Sequence, residues 1–440
     1  MEGTRRSKLI FSGKRRSTSG RPSFTTAEYP VKAHSNHLIS LSEAKAVIAT
    51  LSPLPVEQVP LHAALGSVTA EPVHAAAHCP TIDSSLKDGY AVRSVDVADA
   101  GRNSPVTLKL AGTVVAGGTD QTDVLPGTAV RIMTGGTLPA GADAVLASEF
   151  ADEQATTVQA RADAHSGRNV LRRGADITAG DVIIEAGIRL GAGHLGLLAA
   201  AGNTAVRVYR RPSIMVVATG SELVAPGEPI GPGQVAASNM ITLEAELNAL
   251  GLPVDTTLLR DNLDNLAEVF STALQNYDIL LTCGGVLDGD KDLTLRAMQR
   301  CRVRQLFHRV RIGPGKGISM AQAGDALIFN LPGGPPSNHV AFRQLALPGI
   351  RRRLGYNNPF PGRITAPITE TISGPAGWTQ FIYGSAGCSD ANTPLVVRPL
   401  GKRPRLQAIA EANCLIELPE HLCEVPAGGH APVWLFNETV

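Results

Sequence analysis

Ser213-Ile-Met-Val-Val-Ala-Thr219-Gly220 and Asp278-Ile-Leu-Leu-Thr-Cys283-Gly284 decide the fold, with Ala326-Leu-Ile-Phe-Asn-Leu331-Pro-Gly333 completing the set. Each is a short apolar run without alternation, and each ends in a glycine. Such runs are too short for helices and read as strands buried on both faces. Between them lie segments with helical spacing. Met240, Leu243, Leu247 and Leu250 fall on one face of a helix that Ser238 is predicted to cap. Leu263, Leu266, Phe270 and Leu274 do the same behind a predicted Asp261 cap, with Val254–Leu259 as the strand between the two helices. Leu293–Arg300 is predicted helical, and a long helix from Ser337 runs to Arg351-Arg352-Arg353. Repeated strand–helix–strand order implies a doubly wound, mostly parallel sheet over residues 210–357.

Working outward, the grammar changes on both sides. Ser42-Glu-Ala-Lys-Ala-Val-Ile-Ala-Thr-Leu51 is a capped helix. From there to about Leu171, short extended pieces such as Val106-Thr-Leu-Lys-Leu, Ala129-Val-Arg-Ile-Met and Ala144-Val-Leu-Ala alternate with glycine and proline turns, the pattern of a mostly β domain. Residues 170–210 return to strand–turn units with one small helix near His194–Ala201. After Pro359 the pattern is β again, with strands near Ile364, at Phe381–Tyr383, at Leu395-Val-Val-Arg398, at Cys414–Leu418 and at Pro432-Val-Trp-Leu435.

Bulk composition narrows the function. The chain has 440 residues, and Lys+Arg (40) nearly balances Asp+Glu (39), which argues against a dedicated nucleic-acid or membrane-surface binder. Aromatic residues are only 4%, too few for base-stacking platforms. The cysteines Cys79, Cys283, Cys301, Cys388, Cys414 and Cys423 include no CxxC pair, so the expectation is reduced thiols in a cytoplasmic protein. No run reaches the roughly 18 to 20 apolar residues of a membrane helix. Residues 1–37 are basic and serine-rich (Arg5, Arg6, Lys8, Lys14, Arg15, Arg16) and read as a disordered extension.

In open α/β sheets ligands bind beyond the carboxyl ends of strands. Three such ends carry glycines with polar groups: Thr219-Gly220-Ser-Glu222, Gly284-Gly285-Val-Leu-Asp288-Gly-Asp290-Lys-Asp292, and Pro332-Gly333-Gly334-Pro335. Glycine lets backbone N–H groups approach an anion, which predicts a site for a phosphorylated small molecule. Asp288, Asp290 and Asp292 suit a hard cation such as Mg²⁺, outside any EF-hand because position six is Leu293. Lys316 lies in Gly313-Pro-Gly-Lys-Gly317, which lacks P-loop spacing. No GxGxxG follows the first strand, which weakens a nicotinamide dehydrogenase.

These residues resemble the MoeA / gephyrin E-domain family of molybdopterin molybdotransferases. The resemblance rests on Cys79-Pro-Thr-Ile-Asp-Ser-Ser-Leu-Lys-Asp88-Gly-Tyr-Ala-Val, Val130-Arg-Ile-Met-Thr134-Gly-Gly, Arg172-Arg173-Gly-Ala-Asp176-Ile, Ala218-Thr-Gly-Ser-Glu222-Leu, Leu259-Arg-Asp261, Cys283-Gly-Gly-Val, Gly313-Pro-Gly-Lys316 and Leu331-Pro-Gly-Gly-Pro335, in the family's order. It implies a two-segment linker domain (38–76 and 173–209), an inserted mostly β lid (77–172), a MogA/MoaB-like α/β molybdopterin-binding domain (210–357) and a β-barrel-like C-terminal domain (358–440). It further implies a homodimer whose cleft joins the α/β domain of one subunit to the lid of the other. The implied reaction is insertion of molybdate into adenylylated molybdopterin, with Mg²⁺-dependent release of AMP. Carried over residue by residue, Asp88, Glu222, Asp261, Asp292 and Lys316 are catalytic candidates, with Asp292, Glu222 and Asp261 at the metal. Thr134, Arg172, Arg173, Asp176, Thr219, Gly220, Gly284, Gly285, Pro332, Gly333 and Pro335 are candidates for the pterin and its phosphates. Other molybdenum-cofactor proteins or molybdoenzymes are possible protein partners; nucleic acid and membrane are not expected.

The sequence also departs from the family pattern. Ser84-Ser85-Leu86-Lys87 replaces Asn-Ser-Ala-Met, Leu287 replaces a serine, Gly313 replaces the first lysine of Lys-Pro-Gly-Lys, and Arg309 replaces an upstream lysine. Gly334 replaces an asparagine, Tyr383 an arginine in Phe-x-Arg-Gly, and Lys402-Arg403 a Gly-Ser pair. A lost cleft lysine removes a point charge that would meet an oxyanion, and Arg309, Arg311 and Lys87 are the candidates to compensate. The alternative to an active enzyme is therefore a divergent paralogue that binds molybdopterin or a partner protein without catalysis.

Overall fold

The computed structural model describes residues 38–118, 122–284, 293–388 and 395–436. The basic extension, Gly285, Leu287, Asp288, Asp290 and Asp292 lie outside the described residues. The chain divides into two compact units, residues 56–208 and the remainder.

In the larger unit, six strands form the α/β sheet: β1 (Ile214–Thr219), β2 (Val254–Leu259), β3 (Ile279–Cys283), β4 (Arg304–His308), β5 (Ser319–Ala323) and β6 (Ala326–Leu331). Their order is β2-β1-β3-β6-β5-β4. The first four run parallel, β5 is antiparallel to β6, and β4 is antiparallel to β5. The antiparallel pair was not legible as strands in the sequence. The helices are α1 (Ser238–Ala249), α2 (Leu263–Asn276), α3 (Leu293–Arg300), α4 (Pro335–Ala341) and α5 (Leu347–Arg353). One face of the sheet packs Met215, Val217, Leu280 and Ile328 against Leu266, Val269, Phe270 and Ala273 of α2 and Ala297 and Met298 of α3. Burying each such large side chain contributes about 1.5–3 kcal/mol. One polar cluster is enclosed there: Asn330 donates to Ser319 Oγ (2.7 Å) and accepts from Thr282 Oγ1 (2.9 Å).

Two predicted caps are corrected. Asn262 caps α2, its side chain accepting from the Asn265 N–H at 3.0 Å. Asp261 is thereby released from a capping role. Ser238 is the first residue of α1 and makes no cap bond. The long predicted helix starts at Pro335, two residues before Ser337, and widens to a π segment over Phe342–Ala346 before continuing as α5. Pro348 supplies the reason: it lacks the N–H that residue 344 would receive, and its ring crowds that carbonyl. The first helix, Leu41–Ala49, is capped by Ser40, whose Oγ accepts from Glu43 N–H (3.2 Å) while Glu43 Oε2 accepts from Ser40 N–H (2.6 Å).

The same unit ends in a second sheet. Its strands are β7 (Arg363–Pro367), β8 (Thr379–Gly387), β9 (Val396–Pro399), β10 (Cys414–Leu418) and β11 (His430–Leu435), with α6 (Arg405–Glu411) between β9 and β10. The order is β8-β10-β11-β7, with β9 also on β8, and the short strand Ile312–Gly313 pairs parallel with the start of β8. Ala366, Val397, Ile416, Leu418 and Val433 form its core.

The smaller unit holds a six-stranded sheet in the order Ala144–Ala147, Gly89–Val92, Thr128–Ile132, Val106–Val114, Thr157–Ala160, Ala151–Glu153. Tyr90, Leu108 and Leu146 pack on one face and Ala91, Val130 and Val145 on the other. The residues flanking this sheet in sequence pair with each other, Val73–His74 with Val182–Ile184 and Val56–Pro60 with Ala205–Tyr209, around Leu190, Leu198 and Val206. The whole is an α/β multidomain fold. Among the described residues no helix is long and apolar enough to cross a membrane.

Candidate functional site

Strand order reverses between β1 and β3, because β2 lies outside β1 while β6 lies beyond β3. That crevice is where an open α/β sheet takes its ligand. Its walls come together closely. A Cβ on Gly284 would overlap the Thr219 carbonyl oxygen, and Gly284 has φ +104°, so only glycine fits there. Gly333 is next to it, 3.5 Å from Gly284 Cα at the position a Cβ would take. Three of the predicted strand ends, Thr219-Gly220, Gly284 and Pro332-Gly333, are thus brought to one place. Side chains of neighbouring helices hold the last loop: Asn239 of α1 donates to Gly333 O (2.8 Å) and Asn338 of α4 donates to Pro332 O (3.0 Å).

Two carboxylates flank this edge. β1 and β2 pair with Thr219 opposite Leu259, so the loops after them are neighbours. Asp261 accepts from the Ser221 N–H at 3.1 Å, and Glu222 follows directly on that loop. Both side chains are exposed. Thr219 is 2% exposed, and its Oγ1 is buried without a hydrogen-bond partner among the described residues. A buried hydroxyl left in that state costs about 1–3 kcal/mol, which a ligand or water in the crevice would offset.

Beside the crevice lies a cavity of about 470 Å³, lined by the Gly313–Gly317 loop with Lys316, by Pro332 and Ser337, by Gln380 of β8, and by Pro375 and Trp378 of the turn before it. Pro332 belongs to both places, which joins the strand ends to the cavity. Lys316 Nζ stands 5.7 Å from the centroid of the Trp378 ring and has no acidic partner among the described residues. A cation with an aromatic wall, a hydroxyl and a carboxamide around it is fit to receive an anion.

In the smaller unit, Asp88 accepts from both the N–H (2.7 Å) and the hydroxyl (2.8 Å) of Thr134, bonds that hold its pKa below the ordinary carboxylate range. Asp88 and Thr134 are therefore brought together. Arg172 is committed to Asp83 (2.6 Å), and Arg173 gives Asp83 its backbone N–H (2.8 Å). Those two bonds, with the arginine charge, lower the Asp83 pKa. Arg173 and Asp176 are exposed, and the Arg173 charge also acts on Asp83.

The departures from the family pattern have structural counterparts. Tyr383 is not in the cavity lining. Its hydroxyl is 3.0 Å from His339 Nδ1, and His339 Nε2 is 3.0 Å from Glu246, which Arg343 grips through two bonds of 2.7 Å. Burial pushes the Tyr383 phenol up. Arg403 pairs with Glu411 and Lys402 with Glu370. Gly313 faces Gln380 across the strand pair. Pro335 is the first residue of α4, behind the N-cap Gly334. Sequence reasoning missed Ser221, Asn239, Ser337, Trp378 and Gln380. Trp378 carried one usable signal, being one of two tryptophans in an aromatic-poor chain.

Residues 39–202 match the family description "MoeA N-terminal region (domain I and II)", and residues 215–352 match "Probable molybdopterin binding domain". The molybdopterin molybdenumtransferase 2 of Mycobacterium tuberculosis is 34% identical over 385 residues, spanning 86% of this chain and 94% of that protein. The molybdopterin molybdenumtransferase of Staphylococcus epidermidis is 31% identical over 360 residues, spanning 82% and 86%. The crystal structure of the molybdopterin biosynthesis MoeA protein from Pyrococcus horikosii is similar with a TM-score of 0.78 at 29% identity, covering 91% of this chain and 100% of that one.

Proposed function

Because the chain belongs to the MoeA family of molybdopterin molybdenumtransferases, we propose that it inserts molybdate into adenylylated molybdopterin and releases AMP, using the crevice and the cavity joined at Pro332. It is a transferase of molybdenum cofactor biosynthesis. The observation that carries the finer reading is the lone ammonium of Lys316 in a roomy, part-polar cavity against the glycine-lined strand ends. In this reading Lys316 and Ser337 bind the oxyanion, and Trp378 shields one side of it from water. The backbone at Thr219-Gly220, Gly284 and Pro332-Gly333 receives the pterin and its phosphates. Asp88, which accepts from Thr134, together with Arg173 and Asp176, is proposed to serve the cleft of the partner subunit in the dimer. Gly285 and Asp292 remain in the proposal on their sequence alone.

Among the described residues no group of three or more His, Cys, Asp or Glu could hold a metal. Glu222 and Asp261 nevertheless fit the usual Mg²⁺ pattern, which takes one or two protein carboxylates and completes its shell with water and substrate phosphate. Asp261 is oriented for this by Ser221 N–H. When bound, the ion would neutralise charge developing on the phosphoanhydride that is cut. The chain's own groups orient the two ligands and present fixed dipoles, which carry most of the rate in such positioning chemistry. A homodimer and a cytoplasmic location complete the proposal.

The test is to incubate the purified full chain with adenylylated molybdopterin, molybdate and Mg²⁺, and to measure AMP release and activation of an apo-molybdoenzyme. Molybdate-dependent release of AMP is expected. Absence of release at every molybdate concentration would reject the enzyme and leave a molybdopterin-binding role.

A further inference from the structure

Residues 313 and 380 share one place in the fold. The strand Ile312–Gly313 runs parallel to β8 with Gly313 opposite Gln380. A Cβ on Gly313 would overlap Gln380 Oε1 and lie 2.7 Å from its Nε2. On the other side, a Cβ on Gly374 would lie 2.6 Å from Gln380 Cγ. Neither glycine is needed for its backbone, since neither has a positive φ. Both are small because the Gln380 side chain runs between them. That side chain is half-buried, lines the cavity with Lys316, Ser337 and Trp378, and its carboxamide has no hydrogen-bond partner among the described residues.

We propose that Gln380 is a specificity-determining residue of the oxyanion pocket, reaching into the space that a side chain at position 313 would otherwise fill. The pocket then offers a tetrahedral oxyanion one cation, Lys316, and neutral hydrogen-bonding groups from Gln380 and Ser337. A carboxamide donates through its nitrogen and accepts through its oxygen, so it pairs with an oxyanion without adding charge. Because the side chain enters from the C-terminal sheet, that sheet takes part in choosing the anion. This inference rests on the reading of the cavity as the molybdate-handling site.

Equilibrium binding of molybdate to the full-length chain, by calorimetry at fixed ionic strength, tests both levels. Wild type is expected to bind, and Lys316→Gln to bind at least tenfold more weakly. Gln380→Glu keeps the shape but exchanges a donor for a negative charge, and is also expected to lose roughly tenfold or more, with an unchanged melting temperature. Gly313→Lys is expected to lower the melting temperature on its own. Gly313→Lys with Gln380→Ala is expected to restore the melting temperature and to bind molybdate at least as tightly as wild type. If Lys316→Gln weakens binding while Gln380→Glu binds as wild type does, the role of Gln380 is overturned and the pocket stands. If wild type binds no molybdate, or Lys316→Gln changes nothing, the pocket reading falls and Gln380 with it.

Discussion

At the amino edge of the α/β sheet, Asp278 is 3% exposed and both of its oxygens are taken; at the carboxyl edge, Thr219 is 2% exposed and its hydroxyl is met by nothing among the described residues. Asp278 receives Arg210 through two bonds (2.8 and 2.7 Å), and the N–H and hydroxyl of Ser213 at 2.8 Å each. Burial pushes its pKa up, but Arg210 and Ser213 together outweigh burial and hold it below the ordinary carboxylate value. The carboxyl edge leaves Lys316 without an acid and Gln380 without a partner among the described residues. Both edges bury polar groups: the Asp278 carboxylate is fully met, and the Thr219 hydroxyl is not met among the described residues. The unsatisfied edge is where a ligand gains by supplying what is missing.

The comparison breaks first at Asp278. Asp278→Ala strands Arg210 beside a buried space and is expected to cost about 3–5 kcal/mol, read as a shift in the urea midpoint at constant slope. Molybdate binding by the fraction that stays folded should be unchanged. A loss under about 1 kcal/mol would mean the pair behaves as a surface salt bridge and the amino edge is not the structural one.

Next in size is the effect of pH on that same pair. A carboxyl whose folded pKa is depressed adds stability above its unfolded pKa and loses it as pH falls through the folded value. Wild type should therefore shed stability as pH drops below about 4, and Asp278→Asn should show a flatter acid limb in chemical denaturation. Equal slopes for the two proteins would remove Asp278 from the acid response.

The smallest effect, and opposite in sign, belongs to Thr219. Thr219→Val replaces an orphaned hydroxyl with a methyl group of similar size, so stability should hold or rise by up to about 1 kcal/mol, while affinity for adenylylated molybdopterin falls. Marked destabilisation would show that the hydroxyl has a structural partner and that the contrast between the edges is overdrawn.

The sequence made the parallel strands legible because their apolar runs are continuous and end in glycine. Val254–Leu259, Leu293–Arg300 and Ala326–Leu331 occupy the residues expected of them. The β4–β5 pair was hidden, since Arg304-Gln-Leu-Phe-His and Ser319-Met-Ala-Gln-Ala have few β-branched residues and no clear period. Asp261 and Asn262 are equally good caps on paper; the structure gives the cap to Asn262 and turns Asp261 toward Ser221. Of the site, the glycine-marked loops could be read because their signal is local. Gln380 could not, because it reaches the cavity through a strand pairing between residues far apart in the chain, with Trp378 on the turn just before that strand. Gly313 is more than a lost lysine, because Gln380 occupies the space a side chain there would take.

Molybdate-dependent AMP release by Lys316→Gln, measured beside wild type with the melting temperature of each, bears most directly on the claim that the carboxyl edge performs the chemistry. Removing one preorganised charge from the site is expected to slow release about 10²–10³-fold with the melting temperature unchanged. Release at the wild-type rate from a folded Lys316→Gln protein would contradict it.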